Sequence, residues 1–135
     1  MRTTEAYKKS TVFAPASVNT ATLTTSSFVD AAGAQEVSFD VVTAALGNGK
    51  KLTVQLLGSD NPSGASATLI KEIVFTAGSS LTSAVATVSY APSALNGRYV
   101  GIKFKHDAGE AVICAVTAAI RPGMVPVKDN WALEV

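Results

Sequence analysis

The sequence predicts an all-β chain: a single β-sandwich or jelly roll over residues 20–120, with extended arms at 1–19 and 121–135. Three observations carry this reading. Apolar and polar residues alternate with a period of two in several separate stretches, which is the signature of strands with one face buried. Turn-forming clusters of Gly, Asn, Asp and Pro fall between those stretches at short intervals. No stretch holds a helical period long enough to make a sizeable helix, and short strands at regular spacing point to a sandwich rather than to alternating strand and helix.

The elements follow in order. Residues 1–19 are mixed and polar with no sustained period, and they read as an arm that orders only when something ties it down. Thr20–Asp30 holds a weak strand signal. In Gln35–Thr43, Val37, Phe39 and Val41 share one face, and Glu36, Ser38 and Asp40 the other. In Lys51–Leu57, Leu52, Val54 and Leu56 alternate with Lys51, Thr53 and Gln55. Between these two strands lies Gly47-Asn48-Gly49, where an Asn-Gly pair tolerant of positive φ predicts a hairpin. Asp60-Asn61-Pro62-Ser63-Gly64 is a turn cluster. Thr68–Thr76 has both a short helical face and a high β-branched content, and the latter favours a strand. Ala84–Tyr90 places Ala86, Val88 and Tyr90 on one side of a further strand. Arg98–Lys105 alternates Val100, Ile102 and Phe104 with Gly101, Lys103 and Lys105. His106-Asp107-Ala108-Gly109 reads as a second hairpin, leading into Ala111–Ile120. That last strand is apolar on both parities, so it is covered on both faces or it faces a partner subunit. Beyond it, Pro122 and Pro126 bar a continuous helix or an internal strand.

Composition narrows the function. Hydrophobic residues make up 47% of the chain, enough for a core, while charged residues are only 16%, against roughly 25% in an average soluble domain. That balance is the opposite of a disordered segment's. A net charge of +1 argues against a protein that grips nucleic acid through its phosphates. The longest apolar stretch, Ala111–Ile120, is about half of what a membrane helix needs, and no apolar signal segment follows the first residues. The chain reads as soluble and made in a cytoplasm.

The search for catalytic chemistry yields little. Gly49-Lys50 is not a phosphate loop, because Ala44 and Lys51 stand where that pattern needs Gly and Ser or Thr. His106 is the only histidine, and a metal site or a triad needs further ligands or partners. Beside Asp107 it reads as a solvent-facing cap of its turn. Cys114 is the only cysteine. It rules out an internal disulfide framework and, within an apolar strand far from any cation, reads as a buried small hydrophobe. The carboxylates Asp30, Glu36, Asp40, Asp60, Glu72, Asp107 and Glu110 are scattered, with no pair singled out. Among the aromatics, Tyr99 shares parity with Lys103 and Lys105 and is the candidate for exposure, too little for a sugar-binding platform. Asn96-Gly97-Arg98 is a turn leading into a strand. No catalytic residue, cofactor or metal is expected, and the chain reads as non-enzymatic.

Four stretches carry a resemblance. They are Val29–Val41, with its Val-Asp-turn-Gly before an alternating strand; Leu52–Leu57 followed by Gly58-Ser59-Asp60-Asn61; Asn96–Phe104, with its Arg98-Tyr99-Val100 strand; and Ala115–Gly123, an apolar strand running into a Pro-containing tail. In order and spacing they resemble the small β-sandwich proteins of tailed-phage virions that decorate or cement the capsid. The resemblance spans Val29–Val127 and implies a virion structural protein at the capsid surface, made in the host cytoplasm. It implies the major capsid protein as partner, a small homo-oligomer (dimer or trimer), and no nucleic acid or membrane. Another virion component (a tail, head-completion or receptor-binding part) and a small carbohydrate-binding sandwich are the rival readings.

Trp131, the only tryptophan, lies in the C-terminal arm outside the sandwich. A large aromatic in such a tail gains apolar burial at an interface. Trp131, with Val125, Val127 and Leu133, is therefore the expected contact with the capsid or a neighbouring subunit.

Overall fold

A computed structural model describes residues 3–78 and 84–123. After a single helical turn, α1 (Thr3–Ala6), the described residues form nine strands: β1 (Lys8–Val18), β2 (Thr24–Thr25), β3 (Val29–Asp30), β4 (Ala34–Thr43), β5 (Lys51–Ser59), β6 (Thr68–Thr76), β7 (Ala84–Tyr90), β8 (Tyr99–His106) and β9 (Val112–Pro122). All pairings are antiparallel. One sheet, here sheet A, has the order β1-β9-β4-β7. In the other, sheet B, the order is β2-β8-β5-β6, with β3 also pairing with β8. Because β2 and β3 share one position beside β8, each sheet has four strand positions. The chain crosses between the sheets at nearly every connection. This is the eight-position double-sheet arrangement of a jelly roll, and it bears out the all-β sandwich.

Alternation builds the core as expected. Val37, Phe39 and Val41 of β4 face Val54 of β5 and Val100, Ile102 and Phe104 of β8, all essentially inaccessible to solvent. Phe39 lies opposite Ala118 on β9 and Val88 on β7, so a large side chain fills the space a small neighbour leaves. Phe13 reaches in from β1 to meet Phe104 edge to face, with ring centroids 5.4 Å apart.

Both expected limits of the sandwich are corrected. Residues 8–18, read as part of an arm, form β1, paired with β9 from Lys8↔Ile120 to Val18↔Val112. Register shifts between Thr11 and Phe13 and between Phe13 and Ala16 break the alternation that would have shown it. Pro15 is tolerated because β1 is an edge strand. At the other end, β9 runs through Arg121 and Pro122, which pair with Glu36 and Ala34, so the sandwich extends past residue 120.

The two expected hairpins are also corrected. Gly47-Asn48-Gly49 carries the chain from β4 in sheet A to β5 in sheet B, and His106–Gly109 carries it from β8 back to β9. Gly47 and Gly49 have positive φ but Asn48 does not, so the Asn-Gly hairpin turn never forms. The consecutive pair that does fold as a hairpin is β5–β6, across the Asp60–Gly64 turn cluster.

Candidate functional site

The two residues with latent chemistry are both spent in the core. His106 is 1% exposed, not a solvent-facing cap. Its Nε2 lies 2.7 Å from the Val18 carbonyl, and its Nδ1 accepts the Ala108 N–H at 3.2 Å. A carbonyl can only accept, so Nε2 is the donor in that bond. His106 thus ties the end of β8 to the end of β1 across the sandwich. Sequence missed this because its inward parity was outweighed by the turn residues that follow. Cys114 is buried, as expected, and burial pushes its thiol pKa up. Thr43 Oγ1 is buried without a hydrogen-bond partner among the described residues, at the end of β4.

Asp30 and Arg98 form a bidentate pair at the surface. Arg98 Nε and Nη2 donate to the two Asp30 carboxylate oxygens at 2.9 and 2.7 Å. Asp30 also accepts the Ala32 N–H. These bonds hold its carboxyl down at about 2. The guanidinium lies 5.3 Å from the Tyr99 ring centroid, so Tyr99 is half-covered rather than free as a stacking platform. The turn before it behaves as expected: Ala94–Asn96 form a short 3-10 turn, and Gly97, at φ +94, presses on the Ser59 backbone where a side chain has no room. A shallow cleft of about 410 Å³ beside the pair is lined by Ala31, Gly33, Pro92, Ala94 and Arg98. Both pair members are roughly half exposed, and their charges are matched to each other.

The two outer faces of the sandwich differ in chemistry. On sheet A the outward residues form rungs: Val85–Val42–Ala115, Thr87–Asp40–Thr117 and Ser89–Ser38–Ala119. Ile113 follows on β9. Val85 and Ile113 are each 60% exposed and Val42 41%. The carboxylates here are occupied, Asp40 by the Thr87 hydroxyl at 2.6 Å and Glu36 by that of Ser89 at 3.2 Å. The face is therefore an aliphatic corner on a field of small hydroxyl and methyl groups, with Lys9 and the Glu36–Arg121 rung at its opposite end. The outward parity of β9 is open to solvent, so within one chain the last strand is covered on one face only. On sheet B the outward residues of β5 and β8 include Lys51, Lys103 and Lys105, which make that part of the face basic, while β6 adds Glu72 and the exposed Val74.

Trp131, Val125, Val127 and Leu133, the contact residues expected from sequence, lie outside the described residues. The exposed aliphatic corner on sheet A was legible only in part: Ile113 stands in the two-sided apolar strand, but Val42 and Val85 join it through pairings that sequence does not display.

No protein-family model matches the chain, and no curated protein matches it. Solved structures do. The PBSX exported protein XepA superposes with a TM-score of 0.62 at 13% identity, over 95% of this chain and 42% of XepA. The chain thus spans about two fifths of that protein's length. A pilus structure of Bacillus endospore appendages matches at 0.46 and 16% identity over 87% of this chain and 89% of its own. Dimeric latent PorU from Porphyromonas gingivalis matches at 0.43 and 13% identity over 86% of this chain and 13% of its own. At this identity the XepA likeness shows a shared fold: an all-β sandwich that recurs as one part of a larger protein.

Proposed function

We propose that this chain is a non-enzymatic structural protein of a tailed-phage virion, a decoration or cement protein that binds the major capsid protein in the assembled shell and stabilises it. The observation that carries the reading is the outer face of sheet A, where Val42, Val85 and Ile113 stand exposed among Ala, Ser and Thr. Such an aliphatic corner, with the neighbouring carboxylates Asp40 and Glu36 already hydrogen-bonded, suits contact with another protein surface. The sequence resemblance supplies the shell as the partner, and the jelly roll supplies a rigid body on which to display the face. His106 and Cys114, each committed to the interior, leave the binding role to the surface. The protein acts at the capsid surface as a small symmetric oligomer, so that modest contacts repeated over the lattice reinforce the shell.

The test is binding to capsids stripped of this protein. Ile113→Asp combined with Val42→Asp should leave the melting temperature nearly unchanged, because both side chains are exposed, and weaken shell binding at least tenfold. A chain lacking Val127–Val135 should stay folded and bind less tightly. Unaltered binding by the double variant moves the contact off this face. Failure of the full chain to bind any shell ends the decoration reading and advances the tail-part and sugar-binding rivals.

A further inference from the structure

A two-sheet sandwich exposes four strand edges, and unprotected edges pair with other chains. Three of the four carry protection here. The β1 edge has Lys8, Lys9, Pro15 and two register shifts. On the β6 edge, Lys71 and Glu72 sit at mid-strand and the pairing with β5 is bulged. The fourth position of sheet B is broken into two strands of two residues each, β2 and β3. β7 has none of these devices. Its seven residues, Ala84-Val85-Ala86-Thr87-Val88-Ser89-Tyr90, include no charge and no proline, and it pairs with β4 without a register shift from Thr43↔Ala84 to Val37↔Tyr90. Among the described residues, no strand lies along its free edge.

We propose that the β7 edge is a self-association site, where β7 of a second copy of this chain pairs antiparallel across a two-fold axis and joins the two A sheets into one. The strand's own pattern favours a second copy over an unrelated strand. Antiparallel pairing of β7 with itself, centred on Thr87, uses all seven residues: Thr87 faces its own copy, Ala86 faces Val88, Val85 faces Ser89 and Ala84 faces Tyr90. Residues of like parity meet in this register, so buried Ala86 meets buried Val88, and outward Val85, Thr87 and Ser89 meet outward residues. No like charges oppose one another, because the strand holds no charge. The joined sheet also places two copies of the Val42/Val85 rung on one continuous outer face. This pairing goes beyond the proposed shell binding and does not depend on it.

Sedimentation of the full chain across micromolar concentrations should show a monomer–dimer equilibrium. Thr87→Lys places an ammonium on the axis, opposite its own copy, while leaving it beside Asp40 in its own chain, so the fold is kept. It should raise the dimer dissociation constant at least tenfold with little change in melting temperature. Thr87→Cys should form a disulfide-linked dimer under mild oxidation, because opposite residues in such a pair approach closely. Thr117→Cys, exposed on β9 away from the edge, should not. The proposal is overturned by a wild-type chain that stays monomeric throughout, by a trimer, by a Thr87→Cys chain that fails to cross-link, or by a dimer that survives Thr87→Lys and is lost on Ile113→Asp. The last result would assign association to the open face of sheet A and leave shell binding to be judged by its own assay.

Discussion

Removing the imidazole of His106 should be among the most damaging single changes in this chain. The ring is buried and joins β8 to the end of β1 through the Val18 carbonyl, and it accepts the Ala108 N–H on its other side. His106→Ala leaves the carbonyl buried and unpaired, at about 1–3 kcal/mol. It also opens a cavity where the ring packed, adding about 2 kcal/mol. The combined loss is about 4 kcal/mol. With an unfolding entropy of roughly 2.1 cal/mol/K per residue, that corresponds to a fall in melting temperature of about 14 °C for this chain. His106→Gln restores a donor and an acceptor on a side chain of similar reach and should cost about 1–2 kcal/mol. Denaturant unfolding of the three proteins, with the slope unchanged, measures both differences. Equal losses for Ala and Gln would refute the hydrogen-bond account and leave only packing. An Ala variant within about 1 kcal/mol of wild type would refute the burial itself.

Thr43→Val should stabilise the protein by about 1 kcal/mol, since it replaces the buried, unpartnered hydroxyl with a methyl of the same shape; a loss of stability in thermal denaturation would show that the hydroxyl has a partner. Cys114 should react slowly with thiol reagents in the native protein and rapidly once unfolded, because burial both shields the thiol and raises its pKa; fast native labelling would contradict the inward parity of β9. The Asp30 carboxyl sits at about 2, below its ordinary 3.8. Its contribution is therefore present above about pH 4 and is lost as pH falls towards 2. The pair is exposed and screened by solvent, so that contribution should be small. Arg98→Gln should flatten this part of the acid-unfolding curve, and an unchanged curve would show that the pair contributes nothing.

The parts of the fold that sequence displays are those governed by local alternation. Val37, Phe39 and Val41, or Val100, Ile102 and Phe104, can face a core only from a strand, and the structure buries all six. Thr68–Thr76 and Ala84–Tyr90 likewise became β6 and β7 with the expected bounds. What sequence hides is set by non-local pairing. Gly47-Asn48-Gly49 has hairpin chemistry, yet β4 finds its partners in β7 and β9, so the same residues serve a sheet crossing instead. β1 is invisible because its two register shifts turn the adjacent residues Val12 and Phe13 both towards the core before Val18 does so again, so no period of two survives. The surface was legible to the same extent. The outward apolar parity of β9 is plain in the sequence, whereas its neighbours Val42 and Val85 are defined by which strands lie beside it.

The most direct test of the central claim is the saturation of purified capsids that lack this protein. Labelled full-length chain is added in increasing amounts, and bound and free fractions are separated by sedimentation. The structural-protein account expects saturable binding at a fixed ratio to the major capsid protein, together with shells that withstand higher temperature once occupied. Binding that never saturates, or no binding to shells that demonstrably lack the protein, would contradict it.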